Sequence, residues 1–196
     1  MQAFRRIKDE IRIIAFDDGP FEFGKKGKCI LVGVIFRGGS FMDGLLKTEI
    51  EVDGKDAQEK IIKAIKGTRH KDIRLIMLDG ITFGGFNTVD IKELYKQTGL
   101  PVIVVNRKKP DFEKFKSALK NLPNSEQRLQ AVESAGPVYW VKLDGKRICF
   151  QCTGLNIKEA EKIIKLATIH SLIPEPLRVA HLIATGIVLG ESVGRA

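Results

Sequence analysis

"IRLIMLDGITFGGFNTVDIKELYKQTGLPVIVVNRKK" (73–109) decides the fold of this chain. Near its two ends, LIML and VIVV are continuously apolar, and the segment 88–99 between them has the pattern of a helix. Strand, helix and strand in that order make a βαβ unit with parallel pairing. Strands apolar along their whole length are the ones covered on both faces of a sheet. The first of them stops abruptly at Asp79-Gly80. Asp-Gly is ordinary turn chemistry, so one reading makes Asp79 the start of a turn. The other reading puts a carboxylate at the end of a core strand to hold a metal ion.

Upstream the period is different. "IRIIAFDDGPF" (11–21) is an apolar strand that stops at Asp17-Asp18-Gly19-Pro20. "KCILVGVIFRGG" (28–39) is a second strand, and "GLLKTEIEVDG" (44–54) alternates as a half-exposed strand does. Short glycine-containing connections join the three into an antiparallel meander. "DAQEKIIKAIKG" (56–67) then places Ile61, Ile62 and Ile65 at helical spacing, with Asp56 as N-cap and Glu59 three residues on. Downstream of Pro110 come two helical patterns, "DFEKFKSALKNL" and "SEQRLQAVESAG". A hairpin turning at Asp144-Gly145 follows, then an amphipathic helix (157–171) with Ala160, Ile163, Ile164 and Ala167 inward, then a last helix from Pro174. The sum is α/β: a three-strand meander followed by alternating helices and parallel strands, giving a mixed sheet with helices on both faces. This order matches the plan of the ribonuclease H-like fold, in which the first strand lies beside the first parallel strand. No repeat, low-complexity tract or linker interrupts it, so residues 1–196 read as a single domain.

The chain has 196 residues, a formal net charge of +9 and a pI near 9.5, a balance that favours anionic partners, nucleic acid first. A solvated lysine-rich surface gives the same charge. Cys149 and Cys152 stand at C-x-x-C spacing. They lie in a strand, where positions three apart point to opposite faces, so the spacing reads as small buried residues of a reducing cytoplasm rather than a metal or redox pair. The N-terminal segment lacks the apolar stretch of a signal peptide, and no apolar run approaches the length of a membrane span. The expectation is a cytoplasmic protein without membrane contact.

If the first and fourth strands are neighbours, Asp17 and Asp79 emerge in one region. Two carboxylates held close repel. A divalent cation removes that repulsion, and oxygen donors suit Mg2+ or Mn2+. Such a centre can clamp a phosphate and activate water. Asp56 has two readings, helix cap or third carboxylate; Asp53 reads as a turn residue. On the last helix Glu175, Arg178 and His181 recur at three-residue spacing along one face, with Leu177, Ala180 and Ala184 on the other side. The stripe reads either as a structural network with Arg178 paired to a carboxylate, or as a site flank with His181 as metal ligand or proton shuttle. Arg107, Lys108 and Lys109 end the fifth strand beside the Asp79 region, where they suit phosphate contacts or simply form a solvated charge run.

The segments "AFDDGPF", "GVIFRGG", "VDGKDA", "IMLDGITFGGFN", "PVIVVNRKKPD", "PEPLRVAHLIA" and "GES" resemble, over nearly the whole chain, an archaeal protein family distantly related to endonuclease V. "AFDDGPF" is similar to the first-strand Asp motif of endonuclease V, "LDGITFGGFN" to its fourth-strand Asp-Gly motif, and "PEPLRVAHL" to its C-terminal Pro-Glu-Pro-Thr-Arg-Leu-Ala-His motif. The resemblance implies a ribonuclease H-like fold and a magnesium-dependent phosphodiesterase centre. It assigns Asp17 and Asp79 to metal binding, His181 to the motif histidine, and Arg107 to the place of a lysine after the fifth strand. Asp56 falls near a helix-borne glutamate ligand. Two features depart from endonuclease V: its Pro-Tyr-Ile-Pro wedge is absent before the first helix, and "QCTGLN" replaces its Ser-Pro-Gly-His motif. The expectation is a divalent-metal-dependent endonuclease on DNA or RNA, with Asp17, Asp79 and His181 catalytic, Asp56 completing the metal site, and Arg107, Lys108 and Arg178 on the nucleic acid. The alternative is a nucleic-acid-binding or scaffold protein on the same fold without catalysis; a third is phosphate chemistry on a small nucleotide.

Overall fold

In the computed structural model, which describes residues 3–120 and 122–193, the meander forms from β1 (Arg12–Asp18), β2 (Lys28–Arg37) and β3 (Phe41–Glu51). Each neighbouring pair is antiparallel. Helix α1 (Ala57–Gly67) crosses to β4 (Leu75–Asp79), which lies parallel to β1. Helix α2 (Ile91–Thr98) then leads to β7 (Val102–Asn106), parallel to β4. Between β4 and α2 sits a small hairpin, β5 (Thr82–Phe83) and β6 (Asn87–Thr88). Helices α3 (Phe112–Leu119) and α4 (Ser125–Ser134) precede a second hairpin, β8 (Tyr139–Leu143) and β9 (Lys146–Thr153). Helices α5 (Ile157–Ala167) and α6 (Glu175–Leu189) follow. The large sheet has seven strands in the order β3-β2-β1-β4-β7-β9-β8. The meander, the β1–β4 adjacency and the βαβ unit are those expected from the periodicity. The second hairpin does more than its turn chemistry indicates: β9 pairs antiparallel with β7 and extends the sheet.

Two cores flank this sheet, as its continuously apolar strands require. On one face Ile13 and Ala15 of β1, Leu75 and Met77 of β4, and Ile103 and Val105 of β7 pack beneath α5 and α6. The odd positions of these three strands thus share one environment. On the other face Ile14, Phe16, Ile76, Leu78, Val102 and Val104 join α1 and α2. No charged side chain appears in β1 between Arg12 and Asp17. At ~25 cal/mol per Å2 of apolar area removed from water, these layers dominate stability.

The helix ends show where local chemistry agrees with the sequence and where tertiary contacts override it. Asp90 caps α2 by accepting from Lys92 and Glu93 N–H, and Gly99 ends that helix at φ 70°. Asn156 and Glu159 form a reciprocal capping box on α5. Asp56 occupies the N-cap position of α1, yet its side chain does not cap it. Asn87 reaches from β6 instead and accepts from Ala57 N–H at 3.0 Å. The apolar end of α6 also departs from a wholly buried helix: Ile187, Val188 and Leu189 are 50%, 44% and 52% exposed. Among the described residues no helix is long and apolar enough to cross a membrane.

Candidate active site at the strand ends

Strand alternation, continued past the core, builds this site. Asp17 follows Ile13 and Ala15 on the α6 face, Asp79 follows Leu75 and Met77, and Arg107 follows Ile103 and Val105. The last β1–β4 register pair is Phe16 with Leu78, so Asp17 and Asp79 are the next step on adjacent strands, which run ~4.8 Å apart. Helix α6 supplies the roof. Leu177, Ala180 and Ala184 bury against the sheet, and this turns His181 toward the strand ends. His181 Nδ1 lies 2.9 Å from Asp17 Oδ2. Thr185 Oγ1 donates to the His181 carbonyl at 2.9 Å and fixes that turn of helix. The other oxygen of Asp17 accepts from Asp18 N–H.

The electrostatics follow from this crowding. Burial, then the negative charge of Asp17, pushes the Asp79 carboxyl up to about 7, although Arg107 and His181 pull it down. His181 is raised above the ordinary imidazole range, first by its hydrogen bond to Asp17, with burial opposing. Its Nε2 is buried and has no partner among the described residues. A buried polar atom without a partner is costly, and here it stands beside a pair of mutually repelling acids.

Asp18, to which the sequence assigns no role in the site, is the last residue of β1. It points to the opposite face from Asp17, where its Oδ2 accepts from Gly84 N–H at 2.8 Å. Burial, then Asp17, raises its carboxyl to about 6. Asp53 Oδ1 accepts from Phe86 N–H at 2.9 Å, and Arg128 donates to the carbonyls of Phe86 and Asp53. The FGGF stretch (83–86) is therefore a tied hairpin tip. Gly84 (φ 50°) and Gly85 (φ 90°) take left-handed conformations, and a side chain at Gly85 would collide with the Asp53 carboxylate.

Two expected members of the site lie elsewhere. Asp56 Oδ1 accepts from Glu51 N–H at 3.0 Å and from the Asn87 amide at 2.8 Å. It ties β3 to β6 on the α1 side, and no contact joins it to Asp17 or Asp79. Arg178 is held by Glu175, Nη2 to Oε2 at 2.6 Å. Glu175 is buried at 3% exposure and also accepts from His170 N–H, so Arg178 neutralises a helix-entry carboxylate. That pairing is the one the structural-network reading describes. Arg107 and Lys108 are exposed at the end of β7, and Arg107 is near enough for its charge to act on Asp79. The cysteines are free, and Cys149 is buried with its Sγ toward the Asn106 carbonyl.

A cavity of about 390 Å3 opens at Gly80, the residue that follows Asp79. Phe86, Phe112 and Phe115 wall it, and Asn106 and Gln151 also line it, with Gln151 Nε2 donating to the Gly136 carbonyl at 2.8 Å. The Phe86 and Phe115 rings are 5.5 Å apart, centroid to centroid. One signal could have found this place: VIVV ends in Asn106 as LIML ends in Asp79, each a polar residue closing a core strand.

Comparison with known proteins bears on this arrangement. Residues 9–188 match the family described as endonuclease dU. The chain belongs to the endonuclease dU family. A UPF0215 protein of the archaeon Methanosarcina acetivorans is 51% identical over 193 residues, 97% of each chain. A crystal structure from Archaeoglobus fulgidus shares 42% identity and superposes with a TM-score of 0.81, covering 90% of this chain and 97% of that one. Endonuclease V of Ciona intestinalis, solved with a 24-mer DNA containing inosine, superposes with a TM-score of 0.56. That match spans 86% of this chain and 82% of the other at 13% identity, a likeness of fold. The endonuclease dU family member described here thus has a ribonuclease H-like sheet and a distant structural kinship to endonuclease V.

Proposed function

We propose that this protein is a divalent-metal-dependent endonuclease that hydrolyses a phosphodiester bond in DNA next to an extruded deaminated base. The single observation that carries the reading is the Asp17–Asp79 pair, two carboxylates on adjacent strand ends, Asp17 buried and Asp79 half-buried, where burial first and the charge of Asp17 second lift Asp79 to about 7. The donor set fits Mg2+ or Mn2+. Hard cations of this size take one or two carboxylates and complete their shell with water and substrate phosphate. When bound, the ion would polarise the phosphate and supply an activated water.

The chain's own residues divide the remaining work. Asp17 and Asp79 would hold the ion. Asp17 also orients His181 through Nδ1, and in the neutral ring this leaves the Nε2 lone pair free to accept a proton. Arg107 and Lys108 meet the phosphate backbone from the end of β7. The aromatic-walled cavity beside Gly80 is large enough for an unstacked base, with Asn106 and Gln151 as hydrogen-bonding amides. The endonuclease dU family description supports deoxyuridine as the first base to test.

A 5′-labelled duplex carrying one deoxyuridine, and its thymidine counterpart, test the reading. Strand cleavage of the first with Mg2+ or Mn2+, abolished by chelator and by Asp79→Asn, is the expected result. Cleavage indifferent to both would refute it. The rival reading is a nucleic-acid-binding protein without catalysis. One observation favours it: among the described residues no three His, Cys, Asp or Glu side chains enclose a common point. It predicts salt-sensitive binding that survives Asp17→Asn and Asp79→Asn, with no cleavage under any metal.

A further inference from the structure

At the opposite end of the sheet, three adjacent strands carry arginines in one row. Arg12 of β1 pairs in register with Arg37 of β2. Arg74, just before β4, donates its N–H to the Arg12 carbonyl at 2.9 Å. Alternation sets all three on the face of Ile14, Ile35 and Ile76. Like charges on cross-strand neighbours repel, so such a row needs counterions. It has too few. Asp43 Oδ2 serves Arg12 at 2.6 Å and Arg37 at 2.7 Å. Asp72 pairs with Arg12, and Glu10 stands 3.8 Å from Arg37. The side chains of Arg74, and of Arg6 and Lys8 from the preceding segment, have no acidic partner among the described residues.

These side chains surround a cavity of about 390 Å3, lined by Arg6, Lys8, Arg12, Arg37 and Arg74 together with Glu10 and Asp72 and floored by Phe4 and Ile11. Counting Asp43 beside it, five cations face three carboxylates. Its wall is anchored, because Glu159 accepts from Ala3 and Phe4 N–H and pins the N-terminal segment to α5. Planar guanidinium forks match phosphate oxygens two at a time, and the volume lies in the range of small-molecule sites.

We propose that this cavity is a second anion site that binds a phosphate group, carried either by a nucleic-acid strand or by a free phosphorylated small molecule. It is separate from the carboxylate pair. Arg12 lies five residues before Asp17, roughly 17 Å along the strand at the usual rise, at the opposite end of β1. The site therefore stands or falls independently of the nuclease reading.

The test uses the full chain in chelator, so that no metal at the carboxylates holds the probe. Inorganic pyrophosphate is titrated by calorimetry, and a fluorescein-labelled single-stranded 24-mer DNA by anisotropy over a salt series. Arg6→Ala/Arg74→Ala removes two side chains that hold no internal partner, and Lys158→Ala/Lys162→Ala on the exposed side of α5 is the equal-charge control. Pyrophosphate binding at least tenfold weaker in the arginine variant, with DNA binding equal to the control, supports the site with a small-molecule source. DNA affinity below the control, with a salt slope reduced by about 1–2, supports it with a strand as the source. Indistinguishable behaviour of the two variants toward both probes overturns the proposal. Superimposable circular dichroism melts check that both variants fold.

Discussion

Asp79→Asn should stabilise the metal-free protein, and by an amount that depends on pH. The Asp79 carboxyl titrates at about 7 in the fold against 3.8 for an ordinary aspartate. About three pKa units at ~1.36 kcal/mol each set the destabilisation at about 4 kcal/mol once the group is ionised in both states. Asp17 shares the repulsion, so roughly 2–4 kcal/mol is the expected gain on removing the charge. Because the folded pKa is the higher one, the folded state holds the proton more tightly. The penalty is absent below the unfolded pKa, grows as pH rises, and is complete above about 7. Asparagine keeps the shape and drops the charge. In chelator at pH 8.5 the variant should melt roughly 5–15 °C above wild type, given ~2–4 °C per kcal/mol for a chain of this size. At pH 5 the gap should shrink to less than half of that. Urea melts at both pH values provide the free energies directly. An equal gain at both pH values, or none at pH 8.5, would refute the claim that burial and the neighbouring Asp17 charge together penalise the Asp79 carboxylate.

Other perturbations separate structure from chemistry. Arg178→Ala should lower stability by roughly 2–4 kcal/mol in urea melts by leaving buried Glu175 without its cation, while DNA affinity measured by anisotropy stays near wild type. Asp17→Asn should return the His181 imidazole pKa toward 6.5 in an NMR titration, since the Asp17 hydrogen bond is the largest cause of its rise. Phe115→Ala should raise KM for a deoxyuridine oligonucleotide by about tenfold, the scale of one lost base–aromatic stack, with DNA affinity for undamaged duplex little changed. Asp18→Asn, which keeps an oxygen for the Gly84 N–H and drops a charge that burial and Asp17 penalise, should gain stability over wild type in urea melts at pH 8 and lose that gain by pH 4.

What the sequence makes legible is whatever depends on local period. LIML and VIVV announce buried parallel strands, and the spacing of Ala160, Ile163, Ile164 and Ala167 announces the inward face of α5. Asp17 and Asp79 are legible for the same reason: each is the first charge after an apolar run. The pairing of His181 with Asp17 spans 164 residues and follows only once α6 is docked. Asp56 illustrates the opposite failure. Its position before α1 carries a sound capping signal, but Asn87, brought in by a hairpin that no period reveals, takes the capping role and claims the carboxylate as well. Arg178 was ambiguous for an equally physical reason, since a cation three residues from a carboxylate on a helix suits either an internal pair or a ligand. The arginine row needs the register of three strands, so no reading of single segments could assemble Arg12, Arg37 and Arg74.

Asp17 and Asp18 are consecutive residues that face opposite sides of the sheet. Asp17 belongs to the acid pair beneath α6. Asp18 grips Gly84, two residues before Phe86, which walls the aromatic cavity. One peptide unit is thus a mechanical joint between the two chambers: a shift of the hairpin that widens or closes the cavity pulls on the backbone that aims Asp17. Linkage then runs both ways. On the proposed function, an occupant of the cavity that moves the hairpin would change the hold of the acid pair on its cation, and the cation would change the affinity of the cavity by the same factor.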